Sequence, residues 1–290
     1  MRSFSFVTVD VFTDRRFGGN PLAVFPDAQG LSDGEMQSLA AEFNLSETTF
    51  VLPADDPKNT ARVRIFNRRA EMPFAGHPNV GTGWVLNELG RASNGVLRFE
   101  ELAGLVEVRI DAGRVTIAAP QPLSLGPEMP VDLLAGCVGL EAKDILVAAH
   151  RPVMASVGNS FMVAEVAPAA LAKATPDVAK FRAANQVYTA LGANRLPLYL
   201  YARDGNGLRT RMFSPLSGTL EDAATGSAAT PLAALLLSLT SDAERRYDIV
   251  QGVEMGRPSR LFAKAWRADD GIRASVGGTC VPVLRGEVTL

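Results

Sequence analysis

Apolar and polar residues alternate along many short segments of this chain, a period typical of strands with one buried face. In the first half the alternating segments are FSFVTVDVF (4–12), NPLAVFP (20–26), TTFVLP (48–53), ARVRIF (61–66) and the glycine-punctuated GVLRFEELAGLVEVRIDAGRVTIAAP (95–120). A helical period occurs in LSDGEMQSLAAEF, where Ser32 and Glu35 form a capping-box signature. It recurs in VGTGWVLNELG, with Val80, Trp84, Val85 and Leu89 at helical spacing before Gly90. So many strands per helix predict an α+β fold of two sheets, each curled around one helix.

The second half of the chain repeats the pattern of the first. RVRIF at 62–66 recurs as RTRMF at 209–213, and each copy runs through an acidic turn into a glycine-led helix, at Gly76 and at Gly226. Upstream, GGNPLAVF at 18–25 is echoed by VGNSFMVAEV at 157–166. Three pairs in the same order predict two similar halves related by a pseudo-twofold axis.

The proline-rich stretch APQPLSLGPEMPVDL suggests where the halves join. We place the first half at residues 1–120 and the second at 121–280. The last strand, 281–290, is a further element, and its return to the first half is left open.

Composition narrows the classes of function. The chain of 290 residues has 29 basic and 31 acidic residues without long like-charge runs, which argues against a nucleic-acid partner. Its N-terminus lacks a secretory apolar region, and its longest apolar run, near 228–239, is too short and interrupted to span a bilayer, so we expect no membrane association and a cytoplasmic protein. Two cysteines, Cys137 and Cys280, and two histidines in unrelated contexts form neither a disulfide framework nor metal-ligand spacing. We therefore expect no metal.

The two glycine-led helix starts suggest an anion site. In GHPNVGTGW, Pro78 falls where a helix begins, a position at which its missing N–H costs nothing. In DAATGSAATPLAALLLSL, Thr225, Gly226 and Ser227 precede an apolar run, and Pro231 is expected within about the first turn. Two such helices could point free amides into one cleft between the halves. A carboxylate is favoured over a nucleotide because the chain has no phosphate-binding glycine motif.

Three titratable residues lie near these starts. His77 viewed alone fits a structural or capping histidine, and Asp222 viewed alone fits a helix-cap carboxylate. Because the repeat makes their positions equivalent, we expect both at the same cleft. Glu47, in NLSETTFVLP, opens an apolar strand beside Ser46, where it is either a cap or surface carboxylate or a half-buried acid/base with a raised pKa.

At these residues the sequence resembles the PhzF family of phenazine-biosynthesis-type isomerases, within the diaminopimelate epimerase-like fold. The matching motifs, spread from residue 17 to 259, are FGGNPLAVF, NLSETTFVLP, EMPFAGHPNVGTGWVL, RMFSPLSGTLEDAATGSA and QGVEMGRPS. The resemblance implies two barrel-like halves, each a sheet wrapped around a central helix, and a homodimer. It also implies that Glu47 is the proton-transferring acid/base assisted by His77 and Asp222, and that Gly76, Gly226 and Ser227 bind substrate.

Departures from related patterns limit the chemistry. Racemases of the wider fold use two thiols, and at those places this chain has Ala75 and Thr225, so two-base thiol racemisation is excluded. Within the family, Asn79 stands where threonine is usual and Ala223 where proline is usual. These changes leave the acid/base set intact and put the choice of substrate in question.

The resemblance implies a cofactor-independent isomerase that moves a proton on a small unsaturated or cyclic carboxylate, as in isomerisation of trans-2,3-dihydro-3-hydroxyanthranilate. No cofactor is implied, because the substrate's own conjugated diene carries the electrons. One alternative is a single-base epimerase of an amino-acid derivative. Another is a carboxylate-binding protein without chemistry, against which the two carboxylates Glu47 and Asp222 argue, since they would hinder binding of an anion.

Overall fold

The computed structural model describes residues 1–290 and is dominated by strands. The strands are β1 (Ser3–Val11), β2 (Asn20–Phe25), β3 (Glu47–Leu52), β4 (Ala61–Asn67), β5 (Glu71–Met72), β6 (Val96–Glu101), β7 (Gly104–Asp111), β8 (Arg114–Ala118), β9 (Ser124–Glu128), β10 (Ile145–Leu146), β11 (Val153–Ser156), β12 (Ser160–Val166), β13 (Leu198–Asp204), β14 (Gly207–Ser214), β15 (Thr219–Asp222), β16 (Glu244–Gln251), β17 (Ser259–Ala268), β18 (Gly271–Gly278) and β19 (Cys280–Thr289). The helices are α1 (Asp33–Phe43), α2 (Gly76–Glu88), α3 (Val131–Cys137), α4 (Pro168–Leu171), α5 (Val178–Val187) and α6 (Gly226–Ser238). None of these helices has the length and apolar character needed to span a membrane.

The chain divides into two compact units. Unit 1 comprises Met1–Ala118 together with Gly277–Leu290, and unit 2 comprises Ala119–Val276. The last strand, β19, pairs antiparallel with β1 along its whole length, from Ser3 opposite Thr289 to Val11 opposite Cys280.

Unit 1 is a mixed sheet in the order β19-β1-β2-β3-β4-β6-β7-β8. The pairs β2–β3 and β4–β6 are parallel, and the other pairs are antiparallel. The short strand β5 folds back on β4 as a hairpin. The parallel pairs require crossovers, which α1 and α2 provide.

Helix α2 is the core of unit 1, and the sheet surrounds it. The helix contacts β1, β2, β3, β7, β8 and β19. Two glycines make this close packing possible: a Cβ on Gly81 would lie 2.5 Å from Leu22 Cδ2, and one on Gly83 would lie 2.6 Å from Val108 Cγ1. Trp84 is only partly buried and Leu89 is 52 % exposed, so the apolar face read from the sequence was wrong at Leu89. The reason is that α2 ends at Glu88, so Leu89 is its C-cap and lies beyond the buried turns, which extend to Leu86.

The ends of the unit 1 helices follow local chemistry. Ser32 Oγ accepts from the amide of Glu35, and the Glu35 side chain accepts from the amide of Ser32, so the predicted capping box of α1 is confirmed. Helix α2 ends at Glu88, and Gly90 follows with φ +72°, where its amide donates to Asn87 O. A left-handed residue here favours glycine because it lacks the Cβ that would clash.

From β9 to β17, unit 2 repeats the strand order that unit 1 has from β19 to β7. Its sheet runs β9-β11-β12-β13-β14-β16-β17, with parallel pairs β12–β13 and β14–β16 and with β15 folded back on β14. Helix α6 contacts β11, β12, β16 and β17, in the role that α2 has in unit 1. The internal repeat seen in the sequence is therefore a repeat of topology.

Proline 231 lies deeper in α6 than the sequence analysis expected. It is the sixth residue of the helix, in the second turn, and cannot donate to Ser227 O four residues earlier. Thr230 Oγ1 donates to Ser227 O at 3.4 Å and to Gly226 O at 3.3 Å. The Thr230 hydroxyl therefore takes the place of the missing backbone donor to Ser227 O. Because a proline can be accommodated in this way within the helix, Pro231 does not determine where α6 begins.

Candidate active site

Glu47 and His77 approach each other within unit 1. Glu47 is the first residue of β3, beside Leu22 of β2 and Asn67 of β4. It follows Asn44, whose left-handed backbone at φ +53° ends α1. His77 is the second residue of α2 and is buried, and its Nε2 lies 3.5 Å from Glu47 Oε2. The Glu47 side chain keeps 16 % of its surface exposed, so this carboxyl is half-buried.

The hydrogen bonds around Asn20 determine which nitrogen of His77 carries the proton. Ser46 Oγ donates to Asn20 Oδ1 at 3.2 Å, which identifies the oxygen side of this amide. The Asn20 Nδ2 group then points at His77 Nδ1 at 3.5 Å and can only donate to it. We therefore assign the imidazole proton to Nε2, the atom that faces Glu47.

Burial keeps His77 uncharged. Removal from solvent lowers the pKa of His77 from 6.5 to about 3. Its Nε2 has no partner in hydrogen-bond geometry, although the Glu47 carboxyl is within ion-pair distance. The contact is thus between a carboxyl and a neutral N–H donor. A small shift of either side chain could turn it into a hydrogen bond.

The start of α2 leaves backbone donors unused. Ala75 precedes the helix in an extended conformation and makes no side-chain cap, unlike Ser32 at the start of α1. The amides of Gly76 and His77 therefore have neither an intrahelical acceptor nor a capping side chain. Together with the helix dipole, such amides suit an anionic group.

In unit 2, Asp222 and the start of α6 form one hydrogen-bonded group. Thr225 occupies the cap position without making a side-chain cap, and its Oγ1 instead donates to Asp222 Oδ2 at 2.6 Å. Gly226 and Ser227 are the first two residues of α6, and their amides again have no side-chain cap. Asp222 is the last residue of β15, so the strand places its carboxyl four residues before α6 begins at Gly226.

Gln251, fully buried at the end of β16, holds this group together. Its Oε1 accepts from the amide of Thr225 at 3.2 Å, and its Nε2 donates to Asp222 O at 2.8 Å and to Thr225 Oγ1 at 3.0 Å. Tyr199 donates to the same Oε1 at 3.2 Å. These contacts fix the amide orientation, and they leave the Thr225 hydroxyl proton for Asp222.

Residues that follow Gln251 pack against the segment between Asp222 and α6. Gly252 has φ +75°, and a Cβ on it would lie 2.5 Å from Ala223 O. Ser259 Oγ donates to that carbonyl at 2.9 Å. The motif QGVEMGRPS therefore supports the segment that joins Asp222 to α6.

The structure groups the predicted residues by unit. Glu47, His77 and Gly76 lie together in unit 1, whereas Asp222, Gly226 and Ser227 lie together in unit 2. The sequence analysis placed Ser46 beside Glu47 and Thr225 at the start of α6, but it missed Asn20 and Gln251 as parts of these groups. Their signal is present, since they fall within the motifs FGGNPLAVF and QGVEMGRPS.

No three histidine, cysteine or acidic side chains are grouped as a metal site. The cysteines are both buried and unpaired. Burial raises the pKa of the Cys137 thiol to about 12 and also raises that of Cys280. Neither thiol is thereby activated as a nucleophile.

Comparison with known proteins identifies the family. Residues 9–286 match the family model of phenazine biosynthesis-like proteins, PhzC-PhzF. The trans-2,3-dihydro-3-hydroxyanthranilate isomerase of Pseudomonas aeruginosa is 37 % identical over 98 % of this chain and 99 % of its own length. An uncharacterized isomerase of Mesorhizobium japonicum is 35 % identical over 99 % of both chains.

A solved structure extends the likeness to the fold. The PhzF-family phenazine biosynthesis protein of Bacillus anthracis superposes with a TM-score of 0.89 at 24 % identity, covering all of both chains. The predicted α+β fold and the predicted isomerase class are confirmed. The chain belongs to the phenazine biosynthesis-like protein family, PhzC-PhzF.

Proposed function

We propose that this protein moves a hydrogen between two carbons of a small unsaturated or cyclic carboxylate, with Glu47 as the acid/base. The observation that carries the proposal is the neutral, buried His77, which presents Nε2 to a half-buried Glu47 carboxyl at 3.5 Å. A carboxyl that must gain and lose a proton needs a neighbour that tolerates both states. A neutral N–H donor does so, because it binds the carboxylate without the strong bias of a cation.

In the proposed reaction the Glu47 carboxylate removes a proton from one carbon, and the electron pair of the broken C–H bond moves into the substrate's conjugated double bonds. The protonated Glu47 then returns the same proton to a second carbon of that system, so atoms and electrons balance without a cofactor. His77 Nε2–H donates to the carboxylate at the start and end of the cycle. General acid/base catalysis of this kind contributes about 10²- to 10⁴-fold to the rate.

The other candidate residues receive assisting roles. We assign substrate binding to Gly76 in unit 1 and to Gly226 and Ser227 in unit 2, each through the amides of its own helix start, because uncapped helix starts suit anions. Asp222 is assigned a part in positioning or tuning, since its carboxyl is already engaged by Thr225. A homodimer and a cytoplasmic location stay predictions from the sequence.

The relative from Pseudomonas aeruginosa indicates the first compound to try. Its name specifies trans-2,3-dihydro-3-hydroxyanthranilate, which is a cyclic, conjugated carboxylate of the proposed class. We propose this compound or a close analogue as the substrate.

The test is solvent-hydrogen exchange in deuterated buffer, followed by proton NMR. Glu47→Gln keeps the shape of the side chain and removes the exchangeable proton, so we expect a folded protein that binds the compound and loses both turnover and exchange. Glu42→Gln, an exposed carboxylate of α1, is the matched control and should behave as the parent protein. Near-normal exchange in Glu47→Gln would show that another group carries the proton.

The position of the deuterium separates the alternatives. An isomerase gives a product with a moved double bond, whereas a single-base epimerase gives deuterium at one carbon with the double bonds unchanged. A carboxylate-binding protein without chemistry gives neither result while still binding the compound in calorimetry.

A further inference from the structure

One buried carboxyl in unit 1 has no part in the chemistry proposed above. Glu101 is the last residue of β6, and both of its carboxylate oxygens are shielded from solvent without a hydrogen-bond partner. A buried carboxylate in that condition would be strongly unfavourable, because it has lost water and gained nothing in exchange. The surroundings of Glu101 must therefore explain how it is tolerated.

The polar neighbour of Glu101 is Asn79, in the first turn of α2. Asn79 is fully buried, and its Nδ2 donates to Ala75 O at 3.1 Å, so its amide orientation is fixed. Its Oδ1 has no donor. Asn79 is close enough to Glu101 to lower the pKa of this carboxyl, but burial acts in the opposite direction and is the larger effect, and no pair of their atoms has hydrogen-bond geometry. Three acceptor oxygens thus lie in one buried region, and a single proton would supply the missing donor.

No cation near Glu101 is free to compensate a negative charge. Glu101 lines a cavity of about 350 Å³ whose other charged residues are Asp55, Arg62, Arg64, Glu71 and Glu100. Arg64 is engaged by Glu71 and Asp33, and Arg62 lies 3.5 Å from Asp55.

The other elements around Glu101 contribute no positive charge. On β7 the residue opposite Glu101 is Gly104. In the first turn of α2, His77 is neutral because burial lowers its pKa to about 3. Because no positive group balances a Glu101 carboxylate, the neutral, protonated carboxyl is favoured at this position.

We propose that Glu101 is a positioning residue that stays protonated in the folded protein and donates its O–H to Asn79 Oδ1. The bond fixes the Asn79 side chain, whose other end holds Ala75 O. Ala75 directly precedes Gly76 and His77, so the pair sets the geometry of the segment that begins α2. The effect on catalysis rests on the proposed function, whereas the protonation of Glu101 does not.

The net electrostatic effect on Glu101 has the same direction as the absence of donors and free cations around it. Burial raises the pKa of Glu101 from 4.5 to about 8, and Asn79 offsets this only in part. The folded protein therefore holds one more proton than the unfolded chain between pH 4.5 and about 8. Stability falls as the pH rises through this window, because the unfolded chain releases that proton first.

The first experiment needs no substrate. Infrared difference spectra of the folded parent protein and Glu101→Gln at neutral pH should show the carbonyl band of a protonated carboxylic acid only in the parent. That band should convert to a carboxylate band in alkaline buffer. If the parent shows a carboxylate at neutral pH that Glu101→Gln lacks, the proposal is wrong.

Thermal unfolding as a function of pH provides the second readout, with the adjacent residue as a matched control. Glu101→Gln should lose the decline in Tm between pH 4.5 and about 8 and should melt higher than the parent near neutral pH. Glu100→Gln should melt lower there, because Asn59 and the amides of Asp55 and Asp56 bind the Glu100 carboxylate and lower its pKa. Equal shifts of one sign in both variants would contradict the proposal. Should Glu101→Gln not fold, the parent's own Tm profile and infrared titration still decide it.

The positioning role has a readout that a purely structural role would not move. In the parent, kcat should fall as Glu101 ionises in alkaline buffer, and Glu101→Gln should lose that decline while KM changes little. If the spectra confirm the proton but both proteins have the same alkaline profile, Glu101 is protonated without positioning the site. If no turnover occurs in either protein while the spectra still show the proton, the proposed function is at fault instead.

Discussion

The starts of α2 and α6 occupy equivalent places in the two units and are held very differently. At α6 one buried glutamine, Gln251, joins Thr225 and Asp222 through contacts of 2.8 to 3.2 Å. At α2 the two polar contacts of His77, with Asn20 and with Glu47, are both 3.5 Å long. The α6 start is held by these short hydrogen bonds, whereas at α2 the long contacts of His77 leave this imidazole room to tighten its contact with Glu47. A side chain that passes a proton back and forth needs that freedom, which supports placing the shuttle in unit 1.

The arginine–glutamate pairs that precede α2 and α6 in the chain also differ in how firmly they are held. Arg64 and Arg211 occupy matching positions of the repeated strands β4 and β14. Each makes a bidentate pair with a glutamate of the following hairpin, Glu71 or Glu221, and each lies over a phenylalanine ring. Arg211 is buried, however, and also donates to Leu171 O and Ala174 O, whereas Arg64 is partly exposed. The Arg211 guanidinium therefore stabilises more of its surroundings than the Arg64 guanidinium does.

The largest effect should come from removing the buried guanidinium. Arg211→Met leaves the half-buried Glu221 carboxylate without its guanidinium partner and two carbonyls without a donor, and we expect a loss of about 3 kcal/mol in the free energy of unfolding. Arg64→Met should cost about 1 kcal/mol, because solvent reaches this pair. Urea denaturation of both variants measures the difference. Equal losses would remove the contrast between the units.

Gln251→Leu should be the next most damaging substitution. It leaves the amide of Thr225, the carbonyl of Asp222 and the hydroxyl of Tyr199 short of partners, which we expect to cost about 2 to 4 kcal/mol of stability. Asn20→Leu should destabilise less and reduce turnover by about two- to tenfold, because His77 loses the donor that sets its tautomer. Paired urea curves and kcat values test the comparison. It would be reversed if Asn20→Leu were the more destabilising change.

A smaller effect should follow from the neutrality of His77. Burial lowers the pKa of His77 to about 3, so between pH 6.5 and about 3 this histidine is protonated in the unfolded chain and neutral in the folded protein. The stability of the folded protein therefore falls as the pH is lowered through this window. The parent should lose about 2 kcal/mol on this account by about pH 5. His77→Asn should lack this part of the acid dependence, as measured by urea midpoints across a pH series. An unchanged slope would mean that His77 accepts a proton in the folded state.

The cysteines should matter least. Cys137→Ala and Cys280→Ala remove buried thiols that lie outside both helix starts, so we expect about 1 kcal/mol or less of lost packing for each and unchanged turnover. Assay of the double variant alongside the parent tests this expectation. A folded double variant without turnover would mean that the catalytic groups have been assigned wrongly.

Local signals in the sequence were sufficient for several features. Ser32 and Glu35 gave the capping box, and alternation gave strands such as β1, β2 and β4, because these depend on neighbouring residues. The repeated RxRxF motif indicated the repeated topology. Pro231 and Leu89 were misjudged, since Thr230 Oγ1 donates to the carbonyl that Pro231 cannot serve, and Leu89 lies at the exposed C-cap of α2.

The supporting contacts of the site could not be read from the sequence. Gln251 meets Thr225, and Glu101 approaches Asn79, across more than twenty residues of chain, and no spacing rule connects them. The approach of Glu47 to His77 likewise depends on how β3 pairs beside α2. The family motifs contain Glu47, His77 and Gln251 but not Glu101, and only the fold shows how these residues meet.

The pairing of β19 with β1 has a consequence for the order of events during synthesis. Strand β1 emerges from the ribosome first, and its partner is separated from it by every residue of unit 2. All the strands and helices of unit 2 are therefore available to fold before unit 1 can complete its sheet. Meanwhile β1 presents an open edge, which is prone to pairing with other chains. We expect that, in a released chain truncated before residue 280, unit 2 resists proteolysis whereas unit 1 is cleaved.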